Sequence, residues 1–104
     1  MSKLYNLLNE IKKRPQFYLT QKSLTLLWTF ISGYEFCRYD YEGKTDNELF
    51  KGFDQYIHKY YRMQTTHNAA QIILFFSRDE EHAFDRFFEL FEEFLSVHPE
   101  NLDL

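Results

Sequence analysis

From Lys3 to Lys13 the apolar residues Leu4, Leu7, Leu8 and Ile11 recur at i, i+3, i+4 and i+7, the stripe of an amphipathic helix, with Ser2 placed to cap its start. Pro15 restricts Arg14 to extended backbone, so this helix is expected to stop near Lys13 and Arg14, where cations suit its negative end. A tight connection from Arg14 to Thr20 should follow. Leu24, Leu27, Trp28, Ile31 and Tyr34 then restart the helical period, while Leu26, Phe30, Phe36 and Cys37 make the segment apolar almost all round, as in a central helix. Gly33 inside that helix costs up to about 1 kcal/mol relative to Ala, which points to the close approach of another helix.

Asp40 to Lys44 is polar and contains Gly43, and Thr45-Asp46-Asn47-Glu48 reads as a capping box that starts a third helix. Leu49, Phe50, Phe53, Ile57 and Tyr60 should point inward from it, with Tyr56 and Tyr61 flanking, and the pattern fades between Gln64 and Asn68. Ala69 to Phe76 suits a short buried strand as well as a helix; helix is the better reading, because a lone strand has nothing to pair with. Ser77-Arg78-Asp79-Glu80 reads as a second capping box. In the last helix Ala83, Phe84, Phe87, Phe88, Phe91, Phe94 and Leu95 form a continuous stripe, and Pro99 ends it. The pattern predicts one all-α domain over residues 1–104, a bundle of four to five helices. Trp28, Phe53, Phe87 and Phe91 stand at the centres of their stripes and are expected in its core.

With 104 residues, 21 aromatics, three Gly and two Pro, the chain has the makings of one packed core, and disordered or collagen-like classes are excluded. Cys37 is the one cysteine and cannot form an internal disulfide, and the first residues lack the unbroken apolar run of a signal peptide, so a cytoplasmic protein is expected. No apolar run is long enough for a membrane span. Net charge is −4, which disfavours nucleic acid as a partner. The charge is unevenly spread. Residues 1–22 hold five cations against Glu10, leaving seven cations against fifteen acids in residues 23–104, and the acidic part is a candidate to meet a basic partner.

Candidate chemistry is sparse. His58, His67, His82 and His98 never fall at i, i+3 or i, i+4 spacing with one another, so no metal site or cofactor is expected. His82 near Glu81 and Asp85 reads as a surface histidine, and Cys37, on an apolar helix, as a small core residue rather than a nucleophile. Three scattered glycines make no phosphate loop. No catalytic residue is assigned. Glu81, Asp85, Glu89, Glu92 and Glu93 share the outer face of the last helix, and residues 79–93 hold seven acids against Arg86 alone. A solvated surface is the ordinary explanation, but the like-charge repulsion along this face gains a use if it meets a cationic partner. Tyrosines crowd residues 34–61 beyond what a core needs, and Tyr39 and Tyr41, expected in a polar, acidic connection, suggest contact residues. The candidate partner-binding residues are therefore Tyr39, Tyr41, Glu42, Asp46, Glu81, Asp85, Glu89 and Glu93.

Arg14-Pro15-Gln16-Phe17-Tyr18-Leu19, followed by Ser23-Leu24, Leu27, Phe30 and Gly33-Tyr34, resembles a pattern near the start of small bacterial proteins in which Arg-Pro-Gly-Met-Tyr-Leu precedes a helix ending in Gly-Tyr. The run from Ser77 to Phe88 is similar to the Ser-x-Asp-Glu-Glu-x-Ala-Phe opening of their last helix. The family is that of immunity proteins of contact-dependent growth inhibition and polymorphic toxin systems. Gln16-Phe17 departs from the family's Gly-Met, and the middle of the chain matches nothing in it. The resemblance implies a stoichiometric inhibitor of a basic toxin domain, commonly a nuclease. A helical adaptor that recognises a partner helix is the alternative, and an enzyme using scattered carboxylates ranks third.

Overall fold

The computed structural model describes residues 3–103, so the Ser2 cap lies outside the described residues. Six α-helices follow one another: α1 (Lys3–Lys13), α2 (Pro15–Leu19), α3 (Leu24–Glu42), α4 (Asn47–Tyr61), α5 (Ala69–Phe75) and α6 (Glu80–Val97), with a 3-10 turn at Pro99–Asp103. The fold is all-α, and the ambiguous apolar run at Ala69 is helical. The helix not anticipated is α2, in what reads as a tight connection. Pro15 ends α1 and, at the first position of α2, starts the next helix with its φ already set. Thr20 closes α2 in the left-handed conformation, φ 67°.

The core forms around α6, which buries Ala83, Phe84, Phe87, Phe88, Leu90, Phe91, Phe94 and Leu95. Phe53 of α4 sits edge-on to Phe87 at 5.5 Å and to Phe91 at 5.2 Å, with Phe94 at 5.5 Å. Such edge-to-face pairs add about 0.5–1.5 kcal/mol each beyond the area they bury. Helix α4 runs antiparallel to α6, since Tyr56 meets Glu93 whereas Tyr60, one turn later, meets Arg86. Helix α1 contributes Leu4, Leu8 and Ile11, and Lys3 at its start is tied to Glu42 at the end of α3 by 3.1 Å. Trp28 is only partly buried, packed edge-on to Phe50 at 5.4 Å and Phe87 at 6.1 Å, so it borders the core rather than centring it.

Both expected capping boxes form differently. The carboxylate of Asp46 is turned to Arg38, so α4 starts without a side-chain cap, and Thr45 Oγ1 accepts only a long bond of 3.4 Å from the Asn47 amide. At α6 the cap is Asp79, which accepts from the His82 amide at 2.8 Å; Glu80 is drawn away to α3, and the Ser77 hydroxyl donates back to the Ile73 carbonyl. The reciprocal box lies elsewhere, at Asn68 and Gln71, where α5 begins. Among the described residues nothing approaches within 4 Å of where a Cβ on Gly33 would stand, so none of the described helices packs there. The glycine with a backbone role is Gly43, which ends α3 at φ 67° and donates to the Tyr39 carbonyl. Tyr60, expected inward, is exposed on the α6 side beside Arg86, because Phe53 and Ile57 already fill the interior of α4.

Candidate functional site

The outer face of α6 carries its acids, but most already have partners. Asp79 caps its own helix. Glu80 accepts from the Ser23 hydroxyl at 3.0 Å and from the amide and hydroxyl of Thr25 at 2.8 and 2.5 Å. Burial opposes its charge, yet the Thr25 and Ser23 donors outweigh burial and hold its pKa below the usual carboxylate range. Lys22 Nζ reaches Asp85 at 2.7 Å and Glu81 at 4.0 Å, and Arg86 reaches Glu89 at 2.8 Å. Glu93 accepts from the Tyr56 hydroxyl at 2.8 Å; burial and that carboxylate push the Tyr56 pKa up to about 12. Glu81, Asp85, Glu89 and Glu93 are all on the surface as expected, but none is a bare charge.

The compensation comes from the first 22 residues. An open cleft of about 710 Å³ separates α1 and α2 from α6, with Lys12, Lys13 and Lys22 facing Asp85, Glu89 and Glu92 across the rings of Phe84 and Phe88. Lys12 and Lys22 stand 5.7 and 5.8 Å from the centroids of Phe88 and Phe84, cations over aromatic faces. The basic start and the acidic last helix are therefore neighbours. The charge asymmetry visible along the chain is folded against itself, and the field α6 presents to a distant partner is weaker than its acid count implies.

The end of α3 is organised differently. Phe36, Tyr39 and Tyr41 are 76%, 64% and 83% exposed, and Cys37, expected in the core, is exposed too. Tyr39 and Tyr41 lie on the helix itself, which runs to Glu42, and not on the connection after it. Glu42 accepts from Lys3 at 3.1 Å and Arg38 at 3.4 Å, and Lys3 first, then Arg38, lowers its pKa against a small opposing effect of burial. Asp46 differs from its expected role. Its carboxylate is buried and bound to Arg38 Nη1 at 2.5 Å, so it holds the connection down rather than offering itself to a partner. The Asp46 amide donates to Glu35 Oε2 at 2.7 Å, while Glu35 Oε1 is buried without a partner among the described residues. Burial, and then the adjacent Asp46 carboxyl, raise Glu35 to a pKa of about 7.

The expected site residues thus divide into separate groups. Glu80 binds Thr25 at the start of α3, and Tyr39 lies fourteen residues along the same helix, a rise of about 21 Å. Tyr39, Tyr41 and Glu42 gather at one end of α3, Glu81 and Asp85 gather around Lys22, and Glu89 and Glu93 stand beside Tyr60 and Tyr56 of α4. Phe36 is an exposed aromatic that the apolar count concealed. Its position lies about 140° around the helix from Ile31, the last buried residue of α3, and that angle was the available signal.

The histidines are engaged with backbone or surface groups. His58 Nε2 donates to the His67 carbonyl at 2.8 Å, His82 Nδ1 accepts from the Arg78 amide at 3.0 Å, and His98 stands 3.4 Å from Glu100. Among the described residues no three His, Cys, Asp or Glu side chains are grouped to hold a metal ion, and no helix is long and apolar enough to cross a membrane. No family model, curated protein or solved structure matches this chain.

Proposed function

We propose that the chain is a non-catalytic binding protein of the immunity type, which neutralises a basic bacterial toxin domain, a nuclease by the resemblance at its two ends, through a stoichiometric complex. The observation that supports this reading is the second half of α3. After Ile31 the helix buries nothing fully, yet it holds Phe36, Tyr39 and Tyr41 in solvent beside Asp40 and Glu42. Three large aromatics exposed on one rigid helix add nothing to folding, whereas aromatic anchors with a carboxylate rim are what an interface with a basic protein uses. Lys3 and the Arg38–Asp46 pair hold that end in place before binding, which limits the ordering cost of association.

The contact residues in this reading are Tyr39, Tyr41, Glu42 and Phe36, with Glu89 and Glu93 contributing to approach and Asp46 supporting from beneath. Co-expression with the toxin encoded in the adjacent reading frame is the test. The parent protein is expected to keep cells alive, and Phe36→Ser with Tyr41→Ser to lose protection while circular dichroism stays helical. Death of cells carrying the parent protein defeats the reading. Unimpaired protection by the double variant moves the interface away from α3, and the Glu89→Lys, Glu93→Lys variant then reports whether the α6 face carries it instead.

A further inference from the structure

From Gln55 to Arg78 the chain has Lys59, Arg62 and Arg78, together with His58 and His67, and no carboxylate, whereas the rest of the sequence sets nine cations against sixteen acids. Among the described residues neither Lys59 nor Arg62 has a carboxylate within ion-pair distance, and both are exposed. The acid next in sequence, Asp54, is half-buried and accepts from the Ala69 amide at 2.7 Å. Between the end of α4, the loop after it and α5 lies an apolar cleft of about 500 Å³, lined by Met63, Thr65, His67, Gln71, Ile72 and Phe75. Met63 forms the wall it shares with an adjoining depression that contains Lys59 and Arg62. Phe75 stands 75% exposed at its edge.

The cleft is held open by its own backbone. Arg62 ends α4 in the left-handed conformation, φ 55°, and Met63 returns its amide to the His58 carbonyl at 2.9 Å. The bond from His58 to the His67 carbonyl fastens the far side of the loop, and the Asn68–Gln71 box fixes the start of α5. A preformed apolar cleft with unpaired cations along one side has a complement in charge and shape. We propose that this surface docks an acidic, amphipathic helical segment of a partner protein, with a large apolar side chain seated among Met63, Ile72 and Phe75 and flanking carboxylates paired with Lys59 and Arg62. The opposite sign of this surface makes it independent of the α3 reading. A nucleic acid is the poorer occupant, because phosphate affinity grows with the number of cations engaged and this patch offers few on a chain of net charge −4.

The test is a nuclear magnetic resonance titration of the full chain with a synthetic helical peptide that carries a Leu-Trp-Leu stripe flanked by glutamates. The same peptide with every Glu replaced by Gln, and oligothymidylate, serve as comparators. Amide shifts are expected to cluster from Lys59 to Phe75. Affinity should fall about tenfold or more for the Gln peptide, for Lys59→Glu with Arg62→Glu, and for Phe75→Ser. Shifts clustered elsewhere, no saturation at millimolar peptide, equal affinity for the Gln peptide, or tighter binding of oligothymidylate overturns the proposal. Should the charge-reversed variant fail to fold, the comparison of Glu and Gln peptides on the unaltered protein decides the matter alone.

Discussion

Helices α3 and α6 are nearly equal in length, 19 and 18 residues, and use that length in opposite ways. Helix α6 buries eight residues from Ala83 to Leu95, whereas α3 buries Leu24, Leu27 and Ile31 and then leaves the core with eleven residues still to run. Sequence pattern reads α3, apolar almost all round, as central, and α6 as a core stripe backed by an acidic outer face; α6 keeps its place in the core, and only α3 departs from its expected one. An apolar residue is drawn inward only where a neighbour exists to cover it, and beyond Ile31 α3 is tied to Lys3 of α1 and to Asp46 of the connection but buries no residue fully. A charge likewise presents a field only where no opposite charge is packed beside it, and α6 has Lys12, Lys13 and Lys22 across the cleft.

The largest effect that can break this contrast is a truncation in α6. Phe87 is fully buried, stacked on Phe91 at 5.6 Å and edge-on to Phe53 and Phe88, so Phe87→Ala should cost about 3–5 kcal/mol. That is a large share of the roughly 5–15 kcal/mol available to a domain of this size. Urea denaturation measures it. A midpoint unchanged from the parent would falsify the placement of α6 as the spine of the core.

Second in size is Arg38→Met. It leaves the buried carboxylate of Asp46 without its cation, and removal of one partner from such a pair costs about 3–5 kcal/mol, here toward the lower end because Arg38 keeps some solvent contact. Asp46→Asn in the same background should recover part of the loss by removing the stranded charge. If Arg38→Met alone is neutral, the ion pair does not hold the end of α3, and the rigidity argued for that surface fails with it.

What the sequence pattern discloses follows from the range of the forces involved. The α6 stripe is local, with seven residues at helical spacing, and it is recovered in full. Helix α5 is resolved by elimination, since Ile72 and Ile73 have no second strand to join. The two capping boxes go astray because Asp46 and Glu80 are claimed by residues distant along the chain or across the fold, Arg38 and the pair Ser23 and Thr25. The site fares likewise. Exposure of Tyr39 and Tyr41 is local and readable, whereas the pairing of Lys22 with Asp85 spans 63 positions and belongs to tertiary structure.

A smaller effect concerns pH. Glu35 has a folded-state pKa of about 7 against an ordinary 4.5, so between those values the folded chain holds a proton that the unfolded chain has released. Stability therefore falls as pH rises from about 4.5 to about 7, then levels. Asp54, raised mainly by burial, adds in the same direction, whereas Glu42 and Glu80, both lowered, contribute stability that is lost only as pH drops through the carboxylate range. Glu35→Gln keeps an acceptor for the Asp46 amide and removes the charge. Its melting temperature is expected to exceed the parent's at pH 7.5 and to match it near pH 5. A difference that is constant across that range points to packing rather than to the proton.

The smallest effect on stability is also the one on which the comparison turns. Phe36→Ala removes the same ring as Phe87→Ala, from a helix of similar length, at a position 76% exposed. Surface substitutions away from caps and cavities stay within about 0.5 kcal/mol, and Ala is the better helix former, so the denaturation midpoint should hardly move. A loss of 2 kcal/mol or more, measured as for Phe87, would mean that Phe36 is covered in solution, by a second copy of the chain or by a rearranged α3. The two cases separate by concentration: a dimer that depends on Phe36 gives a parent midpoint that rises with protein concentration and a variant midpoint that does not. If instead both midpoints are equal and independent of concentration, Phe36 contributes nothing to the isolated fold. Its ring is then open to solvent in the isolated chain, as the interface proposed for α3 requires.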